Sequence, residues 1–435
     1  MAEEELVELK PASKNIWYVL ATIAGENSSV DSSVMNKNRY YWNGLMRLRL
    51  SIEEFENLRE NFNITLPSLT AKDHRCIREA LDKRGFRNEI IPDVDFFIDF
   101  SSTIFLKAVN FSGYIFTSGT AFTHSVMKYA NFSEAIFTGT VKFDAVKFTG
   151  ITVFDRASFQ NIVLFLKTTF DDVVVFSNTT FAALASFQEA IFSDTVFFTK
   201  ANFVDIAIFT NATFKESANF LATEFETSTI FIGAVFTKHP PDFFDAIVSE
   251  NIDWMDVNFS KIDVPKEKLQ INKHIIAFER LSLMMSKLEK PHVRHMFFRH
   301  EMRTRRQLDT GLRKFPSWVM NGVYELFSNY GYGFGRALSW WSGHIILGAF
   351  LLFIPAPHNW AGVVNSVATS FANAHSFLGL NRGPLKTVYA EYSKWEWFNV
   401  TGWDWFNVIW TVQGLLGIMF LFFLILTIRN RFKMG

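Results

Sequence analysis

Between residues 100 and 236 a large apolar side chain returns at alternating steps of five and six residues, and the position two before it is nearly always small or β-branched. The large residue is Phe throughout, Met127 excepted, and the series includes Phe143, Phe148, Phe154, Phe159, Phe165, Phe170, Phe176, Phe181, Phe187, Phe192, Phe198 and Phe203. Ala130, Val141, Thr152, Ala157, Thr168, Val174, Ala185, Ala201 and Ala218 are among the small partners. In an extended chain positions i and i−2 face one side and i−1 the other, so each unit points one large and one small residue inward. The i−1 positions are mixed, with Asn131, Lys142, Ser158, Asn202 and Glu224 among them, as a solvent-facing wall requires. A short period sustained this long predicts a solenoid whose units bury their apolar faces against one another.

Ala-Asn-Phe at 130–132, 201–203 and 218–220, Ala-Ile-Phe at 135–137, 190–192 and 207–209, and Ala-Ser-Phe at 157–159 and 185–187 resemble the pentapeptide-repeat family. That family's pattern is a central Leu or Phe with a small residue two before it. The resemblance implies a right-handed quadrilateral β-helix with both residues inside. This chain departs from a strict five-residue repeat by a sixth residue in alternate units, so four sides take 22 residues and Phe143, Phe165, Phe187, Phe209 and Phe231 are expected in one column. About six coils at roughly 4.8 Å give a rod about 30 Å long. Two breaks interrupt the period. Met127 to Phe132 is five residues where six are expected, and Lys238 to Asp242, with Pro240 and Pro241, adds one before Phe243, Val248, Trp254 and Phe259 resume it. The proline pair belongs at a bulge or corner, and the rod is expected to end near residue 260.

Residues 1–95 read as a mixed, mostly helical cap, with helix starts at Ser51 and Thr70 and a stop at Gly85. A solenoid needs such an end plate over its open core. The β-helix occupies 96–260, and a helical hairpin follows within a cytoplasmic connector at 265–335. Ile271, Ile275, Phe278, Leu281, Met285 and Leu288 form one helical stripe there, which Ile276 and Leu283 would widen. The second segment, Pro291 to Lys314, sets Arg294, Arg299, Arg303, Arg305, Arg306, Arg313 and Lys314 against only Glu301 and Asp309.

Ala337–Ile354 and Val408–Ile428 are apolar runs without Asp, Glu, Lys or Arg, long enough to cross a bilayer as two transmembrane α-helices. They define a two-pass domain at 337–435 with an extracytoplasmic loop at 355–407. Arg336 before the first run and Arg429, Arg431 and Lys433 after the second place both termini in the cytoplasm, at the cell inner (plasma) membrane. Trp340 and Trp341, with Trp403, Trp405 and Trp410, suit the two interfacial belts. Arg299, Arg303, Arg305, Arg306, Arg336, Arg429 and Arg431 are candidates for lipid headgroups. His344, Gln413, Gly414 and Gly417 break the apolar runs and are candidates for helix packing or for lining a pore. Asn365–Leu378 is too short to span and reads as a re-entrant or an interfacial helix, with Ser376 to Arg382 where a filter would stand. Two helices cannot enclose a conduit, so a pore at 365–380 entails a homo-oligomer. The order of coils, hairpin, spans and a terminal Ile-Arg-Asn-Arg-Phe-Lys resembles a group of bacterial membrane proteins carrying pentapeptide repeats.

Composition narrows the function. The 435 residues carry 43 basic and 43 acidic side chains. Between Phe100 and Phe236 there are 11 acids against 8 bases, too small an excess for a replica of nucleic-acid phosphates, and no nucleic-acid partner is expected. Cys76 is the lone cysteine and is read as a buried thiol; the acidic start from Met1 to Glu8 is unlike a secretory signal. His292, His295 and His300 do not gather on one helix face, and neither a metal nor a cofactor is expected. A repeating wall offers uniform chemistry, so the reading is a non-enzymatic, membrane-anchored protein presenting its cytoplasmic β-helix to an unidentified cytoplasmic protein or to its own copies. The alternative is a homo-oligomeric two-helix channel or membrane sensor.

Overall fold

The computed structural model describes residues 8–26, 32–62, 64, 66–87, 97–259, 262, 267–308, 315–353, 359–375 and 405–432. It divides into two compact units, Met1–Leu288 and Glu289–Gly435.

In the first unit, strands of two residues, three at Thr103–Phe105, stack in parallel into four sheets of eight, eight, six and seven strands, a shaft of about seven turns rather than six. At roughly 4.8 Å per turn that is about 34 Å. Each inward Phe donates its N–H to the next coil, as from Phe143 to the Leu164 carbonyl at 2.7 Å. The twelve Phe named above are all buried, none more than 1% exposed. Register fixes the rings: Phe143, Phe165, Phe187, Phe209 and Phe231 lie in one column at 4.8 to 5.1 Å, with interplanar angles of 3 to 7°. Strand spacing holds rings of one column parallel, while those of neighbouring columns meet edge to face, as Phe143 and Phe154 do at 5.5 Å and 80°. Three buried small-position hydroxyls reach the preceding coil: Thr168, Thr179 and Thr223 each donate to a Phe carbonyl at 2.7 Å.

The five- and six-residue steps make two kinds of corner. After every second Phe comes a tight turn closed by a bond such as Ala157 N–H to Phe154 carbonyl, with its third residue at positive φ. That residue is glycine at 113 and 233, but Ala145, Arg156, Lys167, Glu189 and Ala222 also hold φ between 51 and 56°. The intervening corners are wider, and both irregularities of the repeat fall on the same one of these. Shortening at Met127–Phe132 gives 21-residue pairings such as Val109 with Ala130, and Pro240–Pro241 gives 23-residue pairings such as Glu224 with Ile247. The ladder therefore resumes in register after each, at Ala130 and Asp242.

Both ends are covered. Strand Lys10–Pro11 pairs with Thr103–Ile104, and helices α1 (Ile16–Ala21) and α2 (Ser32–Arg47) bring Trp17 and Trp42 to the open core. Trp42 is fully buried against Phe100, Tyr114 and Phe116, and its Nε1–H donates to the Ile115 carbonyl. Helix α3 (Ile52–Phe62) starts at a reciprocal Ser51–Glu54 cap, and α4 (Ala71–Lys83) at a Thr70–Asp73 capping box, ending before Gly85 at φ +92°. Cys76 on α4 is half-buried and not enclosed as expected. At the far end α5 (Lys268–Lys287) buries Ile271, Ile275, Phe278, Leu281 and Met285, Phe278 meeting Phe259 edge to face at 5.7 Å. Ile276 and Leu283 do not widen this stripe; they are exposed, because the end of a coil offers only a narrow apolar seat.

The second unit contains α6 (Pro291–Leu308), α7 (Phe315–Ser328), α8 (Phe334–Phe353), α9 (Trp360–Ala374) and α10 (Trp405–Phe432). The residues expected as a connector thus divide, α5 closing the rod and α6 and α7 joining the C-terminal helices. Among the described residues one helical stretch, Thr411–Asn430 with mean hydropathy 2.3, is long and apolar enough to cross a membrane. The other expected span forms as α8, but Arg336, Ser339, Trp340, Trp341, Ser342 and His344 dilute its first half. Ile354, Arg313, Lys314, Trp403, the stretch 376–404, and the side chains of Trp405, Trp410 and Arg431 lie outside what is described.

Candidate functional site

Helix α9 folds back along α8, and α10 packs on both. Ser370 on α9 donates to the Ile345 carbonyl of α8 at 2.7 Å. Gln413 on α10 donates through Nε2 to Ser370 Oγ at 2.5 Å and accepts from Asn373 Nδ2 at 3.0 Å. A buried amide in an apolar surrounding is costly unless its groups are paired, and here both of its ends are. Glycines allow the approach: a Cβ on Gly348 would stand 2.7 Å from Ser370 Oγ, and one on Gly417 would stand 2.7 Å from the Ala374 Cα. Gly414 and His344 are buried in the same packing, His344 Nδ1 lying 3.3 Å from the Trp340 carbonyl and its ring 5.0 Å from that of Phe420. All four candidates in the apolar runs thus sit inside the packing of a single chain. Sequence reading missed Ser370 and Asn373; Ser366, Thr369, Ser370 and Asn373 recur at steps of three and four along one face of α9, and all four are buried.

Three arginines of α6 have acidic partners within the unit. Glu325 of α7 accepts from Arg303 Nε at 2.8 Å and from Arg306 at 2.7 Å, and Glu301 accepts from Arg305 Nε at 2.7 Å. Arg299 is half-buried with its Nε unpartnered, whereas Arg336 and Arg429 are exposed. Burial, and then the Arg299 guanidinium, lower His295 to a pKa of about 3; burial, then Arg303, lower His300 to about 4. Glu325 was overlooked because α7 was not read as an element of its own. Its apolar residues Trp318, Val319, Val323 and Phe327 follow Pro316, which stands in the first turn of the helix.

On the rod, outward side chains stack from coil to coil. Charges alternate in sign along the corners, as Arg156 pairs with Glu134 at 3.1 Å, Lys167 with Glu189 at 3.7 Å and Lys238 with Glu216 at 2.8 Å. One wall aligns Val153, Val175 and Phe197, and the opposite wall aligns Leu164, Ser186, Ile208 and Ile230, the apolar members half-exposed. Among the described residues no group of three His, Cys, Asp or Glu could hold a metal ion.

A family model described as pentapeptide repeats (9 copies) matches residues 100–147 and 154–202. Among solved structures, a trypsin-treated variant of QnrB1, a plasmid-mediated fluoroquinolone resistance protein, is similar at 16% identity and a TM-score of 0.15, covering 43% of this chain and 89% of that one. No curated protein matches the chain. With inward Phe in four columns and small residues two before them, the matched segment is a pentapeptide-repeat β-helix.

Proposed function

We propose that the protein is a non-enzymatic scaffold, held at the cytoplasmic face of a membrane by α8 and α10, that presents its β-helix to a protein partner or to a second copy. The observation that carries this reading is the pair of half-exposed apolar ladders on opposite walls, Val153–Val175–Phe197 and Leu164 with Ile208 and Ile230. Backbone ladders hold such side chains rigidly, so a partner orders little of the wall on binding. The exposed Arg336 and Arg429 lie beside the inner ends of α8 and α10, where anionic headgroups favour cations. The channel or sensor alternative draws less support, since Gln413, Gly414 and Gly417 are covered by α8 and α9 of the same chain.

Photocrosslinking residues placed at 175 and at 208 in intact cells test the scaffold. A discrete adduct of higher mass is expected from at least one wall, and from neither after the neighbouring Phe197→Lys or Ile230→Lys change. Absence of any adduct at both positions contradicts the reading.

A further inference from the structure

On one wall of the rod the outward column runs Lys142, Leu164, Ser186, Ile208, Ile230 and Asp253, one residue per coil. Lys142 and Asp253 are exposed and Leu164, Ile208 and Ile230 half-exposed, while Ser186 is small and only 3% exposed, a dip between its neighbours. The column is therefore an apolar strip with a cation at one end and an anion at the other. Lys167 and Glu189 at the adjoining corner pair within the chain, whereas Lys142 and Asp253 make no ion pair with another described residue. The Met255 N–H donates to Asp253 Oδ1 at 2.8 Å and steadies that carboxylate.

Read in reverse, the column is its own complement. A second copy, turned end for end about a two-fold axis between the coils of Ser186 and Ile208, sets its Asp253 against Lys142, its Ile230 against Leu164 and its Ile208 against Ser186, and every contact is made twice. A large side chain thus meets the dip, and opposite charges meet at both ends. The flanking half-exposed residues agree, with Leu184 facing Ile206 and Leu166 facing Ile232. Parallel pairing of the same wall puts Lys142 on Lys142 and Asp253 on Asp253, and like charges set opposite one another destabilise.

We infer that this wall pairs with the same wall of a second copy, the two β-helices face to face and antiparallel, in the register that joins Lys142 to Asp253. The inference rests on the scaffold reading and names the partner for one of its two walls. The opposite wall, with Val153, Val175 and Phe197 between Asn131 and Asn219, carries no outward charge that fixes an orientation.

The full chain, purified in detergent at low salt, is followed by sedimentation equilibrium. A dimer that dissociates on dilution is expected. Lys142→Asp or Asp253→Lys alone turns two attractions per dimer into repulsions and should raise the dissociation constant about tenfold. The double variant Lys142→Asp/Asp253→Lys should return it to within about threefold of the unaltered chain. Orientation is read by oxidation in a Cys76→Ser background: Lys142→Cys with Asp253→Cys should give a covalent dimer and neither alone should, because residues 142 and 253 of one chain stand five coils, roughly 24 Å, apart. A monomeric unaltered chain, charge reversals that leave the dimer unchanged, a double reversal no tighter than the singles, or covalent dimers from either single cysteine variant overturns the inference. The photocrosslinker at 208 separates the two readings. An adduct with another protein alone contradicts self-pairing and keeps the scaffold; no adduct at 175 or 208 loses both.

Discussion

Phe187 lies in mid-column, its ring 4.9 Å from Phe165 and 5.1 Å from Phe209, with no exposed surface. Its neighbours are held by backbone ladders and cannot collapse into a gap, so Phe187→Ala should destabilise the protein by about 3–5 kcal/mol in denaturant melts. A loss below about 1 kcal/mol would contradict an inward, close-packed column. The opposite sign is expected at a tight corner. Ala145 holds φ at 52°, a left-handed conformation that disfavours a Cβ by about 1–2 kcal/mol, against which glycine loses part through its freer unfolded chain. Ala145→Gly should therefore stabilise by up to about 1 kcal/mol, read as a raised midpoint in the same melts. Both expectations come from one geometric fact: in a stacked coil the partner of every residue is the residue one coil away.

At the level of elements, the closing helix α5 carries a pH dependence. His274 is buried beside His239, Nε2 to Nδ1 at 2.8 Å, and burial, then His239, lower its pKa from 6.5 to about 4. Asp242, Arg280 and Lys273 line the same groove. The folded state keeps His274 neutral while the unfolded chain binds a proton below pH 6.5, so stability is full above that value and is lost as pH falls towards about 4. The midpoint of thermal unfolding should drop over this window, and His274→Leu should flatten the dependence. In the C-terminal unit, Gly417→Leu pushes a side chain into the Ala374 backbone and should cost about 1–3 kcal/mol or more, seen as loss of the folded species in detergent. The rod was largely legible in the sequence because its period is covalent: Phe143 and Phe165 are one coil apart by count alone. The joint among α8, α9 and α10 was not, since Gln413 meets Ser370 and Asn373 across 43 and 40 residues with no period to relate them. Likewise the role of Glu325 on α7 had no local signal, since the two arginines it gathers lie on α6, about twenty residues earlier in the chain.

For the whole molecule, the proposed role joins two chemistries in one chain. A dry shaft of stacked rings gives a rigid surface that varies only at its outward positions, and an apolar helix of mean hydropathy 2.3 gives a means of attachment. Rod and attachment make separable demands: Phe187→Ala should weaken the first unit and leave membrane retention unchanged, whereas substitutions within Thr411–Asn430 should do the reverse. Retention itself is measured by alkaline carbonate washing of membranes from cells that make the full chain. A membrane-spanning attachment keeps the protein in the pellet after the wash; recovery in the supernatant would contradict it.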